Sequence, residues 1–498
     1  MNVNPITRLD YPDPDVIRVE DTYYMVSTTM HFMPGCEILQ SFDLVHWEHV
    51  TYVYETLDHT DAQQLKSGQN IYGQGMWAAS LRYHEGRFYI CFVANDTRKT
   101  YLYTSEKIDG PWKKQLIEGF YHDGSLLFDE DGRNYIVYGN DEIWITELNE
   151  DLTAPKKDGL HRLLVSDHKN PELGYEGSHI QKINGYYYIF LVHSLRDRWM
   201  RTEACFYSDS LEGEFTGGDV LCDDRGYCGQ GVAQGGIVDT PDGKWYAMLF
   251  QDSGAVGRIP ILLPVTWKDH FPVFGQNGHV PEEIEVHSTR PEYIYQPLVG
   301  SDDFCNGLLP RWQFNHDPDP RYYHLDALQG TYTITTREVC TELTQAVNTL
   351  TQRMSYPSCA AEVTVDASAL KEGDVAGLCA LQGCYAAVGI TKHHGKYEVL
   401  MLDKKEDGIL DMTEGTVVES HQMDFRLEAD FCNMKDEARC YYRVNKGDWL
   451  PIGTVHKLYF KLDHFTGCRF GLFCYAAEET GGSACFRDFK YYDVDEIS

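Results

Sequence analysis

Hydrophobic and polar residues alternate over short segments along most of the chain, which is typical of β-strands with one buried face. Five of these segments share a more specific pattern. Each joins a short strand, a tight polar turn and a second strand rich in aromatic or β-branched residues, and so predicts a β-hairpin. The five segments are DVIRVEDTYYMVS, SLRYHEGRFYICF, SLLFDEDGRNYIVYG, SHIQKINGYYYIFLV and GIVDTPDGKWYAMLF.

The five hairpins form an internal repeat. Their turns recur at intervals that suit a four-stranded propeller blade with long loops. The turns lie at Asp21, Gly86, Gly132, Gly185 and Gly243. Three segments between the hairpins, 41–48, 104–114 and 208–218, also resemble one another, and we interpret them as outer strands of their blades. We therefore predict a five-bladed β-propeller over residues 1–298, because a large β-sandwich does not explain the repetition.

Beyond residue 298 the repeat stops, although the strand pattern continues. Segments such as GTYTIT and KLYFKLDHF still alternate, and no helical period of any length is present. The sequence thus predicts a second all-β domain over residues 299–498, most simply a β-sandwich.

Aligning the hairpins on one another places five residues at one equivalent position, at the entrance of the first strand. These residues are Asp13, Ala78, Asp123, Glu176 and Gln234. If that strand is innermost in every blade, all five side chains face the central channel at one mouth. Three of the five are acidic, and carboxylates that converge in a cleft raise one another's pKa, which is costly unless they are used. The simpler explanation is that polar residues gather at strand entrances.

Asp13 lies between two prolines in the segment YPDPD. Proline fixes its own φ and disfavours the helical region for the residue before it, so we expect Asp13 to be held extended on stiff backbone. Asp15 aligns instead with the serines of other hairpins, among them Ser178, and is not a catalytic candidate.

Converging acids suit glycoside hydrolysis. That reaction needs one carboxylate to activate water and one carboxylic acid to protonate the leaving oxygen, and a neighbouring group can tune the acid. Carboxyl groups on separate blades can stand about 6.5 to 9.5 Å apart, the spacing that inverts the anomeric centre.

Composition narrows the classes of molecule that this protein can bind. The formal charge of −33 disfavours nucleic acid and acidic membrane surfaces, whereas small neutral ligands remain open. No apolar run approaches the length of a membrane span, and the first residues have no signal-peptide pattern. Fifteen cysteines without a regular framework indicate reduced thiols, so we expect a cytoplasmic protein. The oligomeric state is left open.

Longer motifs resemble glycoside hydrolase family 43, in the branch of β-xylosidases and α-L-arabinofuranosidases. The opening NPITRLDYPDPDVIRVEDTYYMVSTTMHF, the segments YHDGSLLFDEDGR and YEGSHIQK, and GQGVAQGGIVDTPDGKWY are similar to that family's propeller. WQFNHDPDP, NTLTQRM and GDVAGLCALQGCYAAVGI resemble the concanavalin A-like β-sandwich attached to it. The resemblance covers nearly the whole chain.

The resemblance implies roles for the three acids. Asp13 matches the general base, Glu176 the general acid, and Asp123 the residue that raises the pKa of the acid and orients it. Arg258 matches an arginine that approaches the catalytic pocket, where it can hold a sugar hydroxyl or a carboxylate or form a plain ion pair.

Three weaker candidates lie near the blade entrances. Trp77 and Phe32 can wall a sugar ring or belong to the core, and Gln234 can bind sugar, water or backbone. Many relatives carry a histidine immediately before the glutamine, at an axial calcium or water site, where this chain has Ala233. The resemblance therefore implies no catalytic cofactor, and a structural calcium bound through oxygens alone stays open.

The expected function is an exo-acting, inverting glycosidase that releases arabinofuranosyl or xylosyl residues from hemicellulose-derived oligosaccharides. The alternatives are a non-catalytic carbohydrate-binding propeller, a protein-interaction propeller and a retaining five-bladed fructosidase. The complete set of three acids argues against the first, and the absence of an NDPNG-type opening argues against the last.

Overall fold

The computed structural model describes residues 3–493, which form β-strands and four 3-10 helices of three residues each. The helices span Lys66–Gly68, Gly254–Val256, Leu343–Gln345 and Cys432–Met434. Within this range no helix has the length or apolar character to cross a bilayer. The predicted all-β class is confirmed.

Five four-stranded antiparallel sheets in the described chain form the predicted propeller, and the strands of each pair in chain order. Blade 1 contains β1 (Asp15–Val19), β2 (Thr22–Val26), β4 (Gly35–Ser41) and β5 (Glu48–Tyr54), with the short strand β3 (Phe32–Met33) outside it. Blade 2 contains β6 (Met76–His84), β7 (Arg87–Ala94), β8 (Lys99–Ser105) and β9 (Lys113–Ile117). Blade 3 contains β10 (Ser125–Phe128), β11 (Asn134–Asn140), β12 (Glu142–Leu148) and β13 (His161–Ser166). Blade 4 contains β14 (Glu176–Ile183), β15 (Tyr186–Ser194), β16 (Arg201–Ser208) and β17 (Thr216–Leu221). Blade 5 contains β18 (Val232–Asp239), β19 (Trp245–Asp252), β20 (Arg258–Lys268) and β21 (Phe271–Phe274).

The first two strands of every blade are one of the predicted hairpins. In blade 1, Asp15 pairs with Val26 and Val19 with Thr22 across the turn. The turns of blades 2 to 5 place glycine in the left-handed region, for example Gly185 with φ 85°. The turns of blades 2 and 4 have two residues, the length at which hairpins favour such a glycine, and those of blades 3 and 5 have five.

The interpretation of the three inter-hairpin segments is wrong. Segments 41–48, 104–114 and 208–218 connect the third strand of a blade to the fourth and are largely turns. In the first of them, Ser41 Oγ accepts from the N–H of Leu44 at 2.8 Å and Asp43 Oδ1 accepts from the N–H of His46 at 2.8 Å. Side chains that bond local N–H groups replace the strand ladder.

Two further sheets form the predicted β-sandwich. One consists of β22 (Gln313–Asn315), β25 (Leu350–Arg353), β27 (Val375–Leu381), β28 (Ala386–His393), β29 (Lys396–Lys404), β30 (Leu410–Met412), β31 (Thr416–Val418) and β35 (Arg469–Tyr475), together with β3. The other consists of β23 (Tyr323–Asp326), β24 (Thr331–Thr335), β26 (Ser358–Asp366), β32 (Gln422–Asp430), β33 (Glu437–Val444), β34 (Leu450–Lys457) and β36 (Ser483–Asp493). Apolar residues of both sheets, such as Phe425 and Leu472, pack into one buried cluster.

Strand β3 ties the propeller to the sandwich, because Met33 pairs with Phe314 of β22. Asp10 strengthens the contact, since its carboxylate accepts from the N–H of Arg258 at 2.7 Å and from that of Gly467 at 2.8 Å. The loop that precedes β35 is thereby held against the mouth of the propeller channel.

Candidate active site

A cavity of about 590 Å³ opens at the mouth of the propeller channel. All five positions aligned from the hairpins line it, namely Asp13, Ala78, Asp123, Glu176 and Gln234. The sandwich closes one side with residues from the segment before β35 and from the last 3-10 helix. Those residues are Met434, Phe460, Lys461, Leu462 and Phe465. The site is thus built by both domains.

Asp13 is buried at the cavity wall and held from two sides. Thr28 Oγ1 donates to Oδ2 at 2.6 Å, and Arg258 Nη1 lies 3.2 Å from Oδ1. The expected extended backbone is wrong, because Asp13 has a φ of 53°. Proline at the next position disfavours the right-handed helical region, and aspartate tolerates the left-handed one better than most residues. The resulting sharp turn directs the carboxylate out of the strand and into the cavity.

The same backbone device recurs in other blades. Asp123 has a φ of 48° and Gln234 a φ of 63°, and in blade 4 the residue after Glu176, Gly177, has a φ of 65°. Irregular pairing follows Glu176, where the register of β14 shifts before His179. Kinks and bulges at strand ends re-aim side chains, which explains why the aligned positions converge.

A polar network joins Asp123 and Glu176. The N–H of Gly177 donates to Asp123 Oδ2 at 2.9 Å, and Asn140 Nδ2 donates to Glu176 Oε2 at 2.7 Å. His122 Nε2 lies 3.4 Å from both Asp123 Oδ2 and Glu176 Oε2. One imidazole therefore bridges the two carboxyl groups.

Burial and charge shift two pKa values in this network. Burial raises the pKa of Asp123 to about 6; His122 opposes this, whereas the negative charges of Glu176 and Asp13 add to it. Burial disfavours a charged His122, but Asp123 and the hydrogen bond with Glu176 outweigh it and raise the pKa of His122 to about 9. The site therefore holds a proton on the imidazole and a titratable carboxyl beside it near neutral pH.

Some of the other residues predicted to contact sugar line the cavity, and one does not. Arg258 and Trp77 line it, and the Arg258 guanidinium lies 4.4 Å from the Phe465 ring centre. Phe32 does not line it: the ring is buried in β3 with the Arg469 guanidinium 3.4 Å from its centre. The assignment of Phe32 to sugar contact is therefore withdrawn, because β3 turns that ring toward the sandwich; Met30 lines the cavity instead.

Several cavity residues were not predicted from the sequence. His122 stands directly before Asp123, and Asn140 ends the second strand of the same hairpin, so the repeat alignment offered a local signal for both. Trp199 lies in the loop between β15 and β16 of blade 4, Arg201 begins β16, and Phe465 comes from the other domain. Nothing in their local sequence indicates that they meet.

Deeper in the channel, an arginine occupies the axis. Arg82 Nη1 donates to Asp15 Oδ2 at 2.8 Å and to the Leu81 carbonyl at 2.6 Å, and Nη2 donates to Ser125 Oγ at 2.7 Å. Two more donations reach the carbonyls of Leu126 and Ile180. Arg82 thus connects four blades.

The fourth-blade side chain at this level is His179, whose Nδ1 lies 3.1 Å from Asp15 Oδ1. The alignment had placed Ser178 there. His179 rather than Ser178 pairs with β15, because the two residues after Glu176 lie outside the regular ladder.

These contacts test whether the axis suits calcium, which takes six to eight oxygen ligands. The oxygens that face Arg82 already accept its hydrogen bonds, so the residues at this level do not fit a calcium ion. Across residues 3–493, His122, Asp123 and Glu176 are the one group of three potential ligands with donor atoms within 4.8 Å of one another.

Comparison with known families gives two matches. Residues 3–272 match Glycosyl hydrolases family 43, and residues 301–492 match the Beta xylosidase C-terminal Concanavalin A-like domain. The first match covers the five blades and the second covers the sandwich.

Individual proteins similar to this chain include a beta-xylosidase of Formosa agariphila, 26% identical over 99% of this chain and 89% of that protein. A solved bifunctional GH43-CE protein of Bacteroides eggerthii is 42% identical with a TM-score of 0.92; the alignment covers 99% of this chain but only 64% of that one. A GH43 glycoside hydrolase engineered to display endo-xylanase and exo-arabinofuranosidase activity is 27% identical, with a TM-score of 0.87 over 99% of this chain and 100% of that one.

Proposed function

Because this chain belongs to glycosyl hydrolase family 43, we propose that it is an exo-acting, inverting glycosidase releasing xylosyl or arabinofuranosyl residues from hemicellulose-derived oligosaccharides. The observation that carries the proposal is the convergence of Asp13, Asp123 and Glu176 in one cavity. The names of similar proteins support both sugars as candidates.

In this mechanism Asp13 is the general base. It takes a proton from a water molecule while the water oxygen bonds to the anomeric carbon, and the bond from that carbon to the glycosidic oxygen breaks. Thr28 and Arg258 hold the Asp13 carboxylate from two sides, which supports this role, because a displacement of about 1 Å can cost on the order of 100-fold in rate.

Glu176 is the general acid and gives its proton to the leaving oxygen. Asn140 fixes Glu176 Oε2, and Asp123 lies beside it as the group that tunes and orients the acid. A carboxyl oxygen of Asp123 lies within 4.8 Å of one of Glu176, so the charge of Asp123 acts on the acid at close range.

The proposed exo action rests on the shape of the cavity. Residues of the sandwich, such as Phe460 and Phe465, close one side of the channel mouth. A closed wall favours a chain end over an internal bond of a polysaccharide.

We also propose that the reaction needs no metal or other cofactor and takes place in the cytoplasm on imported, small, neutral oligosaccharides. Arg82 at the axis supports the first point. Fifteen unpaired cysteines, all among the described residues, support the second, because oxidising compartments favour disulfides. The charge of −33 is unfavourable for nucleic acid and anionic membranes.

Replacing Asp13 with Asn tests the proposal. We expect D13N to lose about 100- to 10,000-fold in kcat, the contribution of a positioned base, while sugar binding measured by calorimetry persists. Unchanged turnover would reject Asp13 as the base. A wild-type protein that binds sugars without hydrolysing them would favour the carbohydrate-binding alternative.

Two assays refine the substrate. Rates on 4-nitrophenyl β-D-xylopyranoside and 4-nitrophenyl α-L-arabinofuranoside compare the two sugars directly. Proton NMR of the first anomer released distinguishes inversion from retention, and a retained anomer would contradict the inverting mechanism.

A further inference from the structure

The rim of the cavity carries an aromatic side chain that the reaction at Asp13 and Glu176 does not use. Trp199 is 44% exposed, although it is a large apolar residue, and it lines the cavity from the loop between β15 and β16. Exposed tryptophans that edge a polar cavity offer a flat apolar face together with an N–H donor.

Trp199 is the outer end of a stacked column of side chains. The Arg201 guanidinium lies 5.2 Å from the Trp199 ring centre and 5.2 Å from that of Phe250. The Arg258 guanidinium lies 5.4 Å from the same Phe250 ring centre, and Arg258 contacts Asp13. The column therefore runs from the candidate base to the rim.

Arg201 is buried within this column but retains free donors. Its Nε donates to Asp252 Oδ2 at 2.9 Å, and its two terminal amino groups have no protein acceptor within residues 3–493. Only 7% of Arg201 is exposed, and it lines the cavity. These amino groups are not among the fully buried unpaired atoms, so they open to the cavity, where a ligand can accept their hydrogen bonds.

We propose that Trp199 and Arg201 form the subsite for the sugar on the leaving side of the scissile bond. The indole stacks on the C–H face of that sugar, and the free amino groups of Arg201 donate to its hydroxyls. Asp252 already balances the Arg201 charge, so the subsite takes an uncharged sugar. This inference rests on the proposed glycosidase function. It adds the side chains that recognise the sugar of the leaving group.

The test compares two substrates that carry the same glycosyl unit at the scissile bond but different leaving groups. One is an oligosaccharide such as xylobiose or an arabinosyl xylo-oligosaccharide, and the other is the corresponding glycosyl fluoride, whose leaving group places no sugar at the rim. We expect W199A to lower kcat/KM on the oligosaccharide at least about ten-fold more than on the fluoride, and W199F to recover part of the difference. R201M should show the same preference.

Tyr83→Ala is the matched control, because Tyr83 is 45% exposed and lines a separate cavity at other blade positions. Y83A should change both rates equally and little. Equal losses on the two substrates in W199A, or no loss on either, would overturn the subsite. Failure of the wild-type protein to hydrolyse either substrate would instead overturn the proposed function, and the subsite with it.

Discussion

The charge state of Asp123 is the residue-scale feature with the clearest consequence. Burial and the neighbouring carboxylates of Glu176 and Asp13 raise its pKa to about 6, even though His122 opposes the shift. A carboxyl group with this pKa gains a proton as the pH falls through about 6. The negative charge beside Glu176 is therefore present above that pH and lost below it.

We predict that this titration produces an acidic limb in the pH dependence of kcat/KM. Below pH 6, kcat/KM of the wild-type protein should fall and approach a ten-fold loss per pH unit, whereas D123N should be slower at all pH values and lack the limb. Rates on a 4-nitrophenyl glycoside from pH 4.5 to 8 provide the measurement. If D123N keeps a limb near pH 6, the limb belongs to another group.

At the scale of one strand, the kink after Glu176 depends on a single glycine. Gly177 has a φ of 65°, and a Cβ at this position would lie 2.7 Å from Gln234 Cγ. Alanine here would combine left-handed strain of about 1 to 2 kcal/mol with a clash against a cavity side chain.

We expect G177A to reduce kcat by on the order of 100-fold, because the strand end that carries Glu176 must move. Gly185→Ala is the control: its φ is 85°, but an added Cβ would meet nothing within 4 Å. G185A should cost about 1 kcal/mol of stability and leave kcat unchanged. Equal activity losses in the two variants would show that strain alone, not the clash, matters.

Arg82 acts between elements, because its five hydrogen bonds join strands of four blades. Its removal would leave Asp15 buried without its cation. A buried charge that loses its partner costs about 3 to 5 kcal/mol.

We therefore predict that R82M lowers the melting temperature clearly, and that a chelator changes neither the melting temperature nor the activity of the wild-type protein. Arg133→Met is the control, since the Arg133–Asp131 pair is largely exposed and should contribute little. A chelator-induced loss that calcium restores would contradict the assignment of the axial cation to Arg82.

Three buried histidines lie where the two domains meet, and their titration changes the stability of the whole molecule. The His31 ring centre is 4.8 Å from that of His316 and 5.1 Å from that of His464. Burial, followed by the nearby basic groups His316, His464 and Arg469, lowers the pKa of His31, and burial lowers the pKa of His464 to about 3. Burial likewise lowers the pKa of His316. All three stay neutral in the folded protein near pH 6.

Because the folded-state pKa values are depressed, the stabilising contribution is present above the unfolded value of about 6.5 and lost as the pH falls. Each histidine should remove about 1.4 kcal/mol per pH unit well below pH 6.5. Buried carboxyl groups with a raised pKa act in the opposite sense, among them Asp123, Asp374 and Asp436 at about 6, and Glu203.

We predict that the histidines lower the free energy of unfolding as the pH falls from 6.5 to 5, and that H464F removes about 1.4 kcal/mol per pH unit of this contribution relative to the wild-type protein. Denaturant titrations at several pH values measure it. His394→Asn, at an exposed position, should leave the slope as it is. A slope that H464F does not change would place the pH sensitivity elsewhere.

Much of the fold was predictable because its determinants are local. The alternation of strands and the turn glycines predicted each hairpin, and the repetition predicted the number of blades. Equivalent positions in repeated hairpins must share one place in the propeller, so the convergence of Asp13, Asp123 and Glu176 followed from counting residues.

The predictions that the structure contradicts failed for non-local or conformational reasons. The pattern of segment 41–48 is typical of a strand, but in the structure its side chains accept hydrogen bonds from N–H groups of the same segment. Phe32 lies close in sequence to Asp13, but pairing with β22 turns it away from the cavity. His179 rather than Ser178 reaches Asp15 at the axis, and nothing in the local pattern distinguishes the two residues.

The sequence by itself determined the hairpins, their order and the acids at their entrances, because period-two patterning and turn chemistry act over a few residues. Only the tertiary structure decided the left-handed turn at Asp13, the imidazole bridging Asp123 and Glu176, and the wall contributed by the sandwich. Those features depend on contacts between residues tens to hundreds of positions apart. Their energies come from burial and charge, which exist only once the chain has folded.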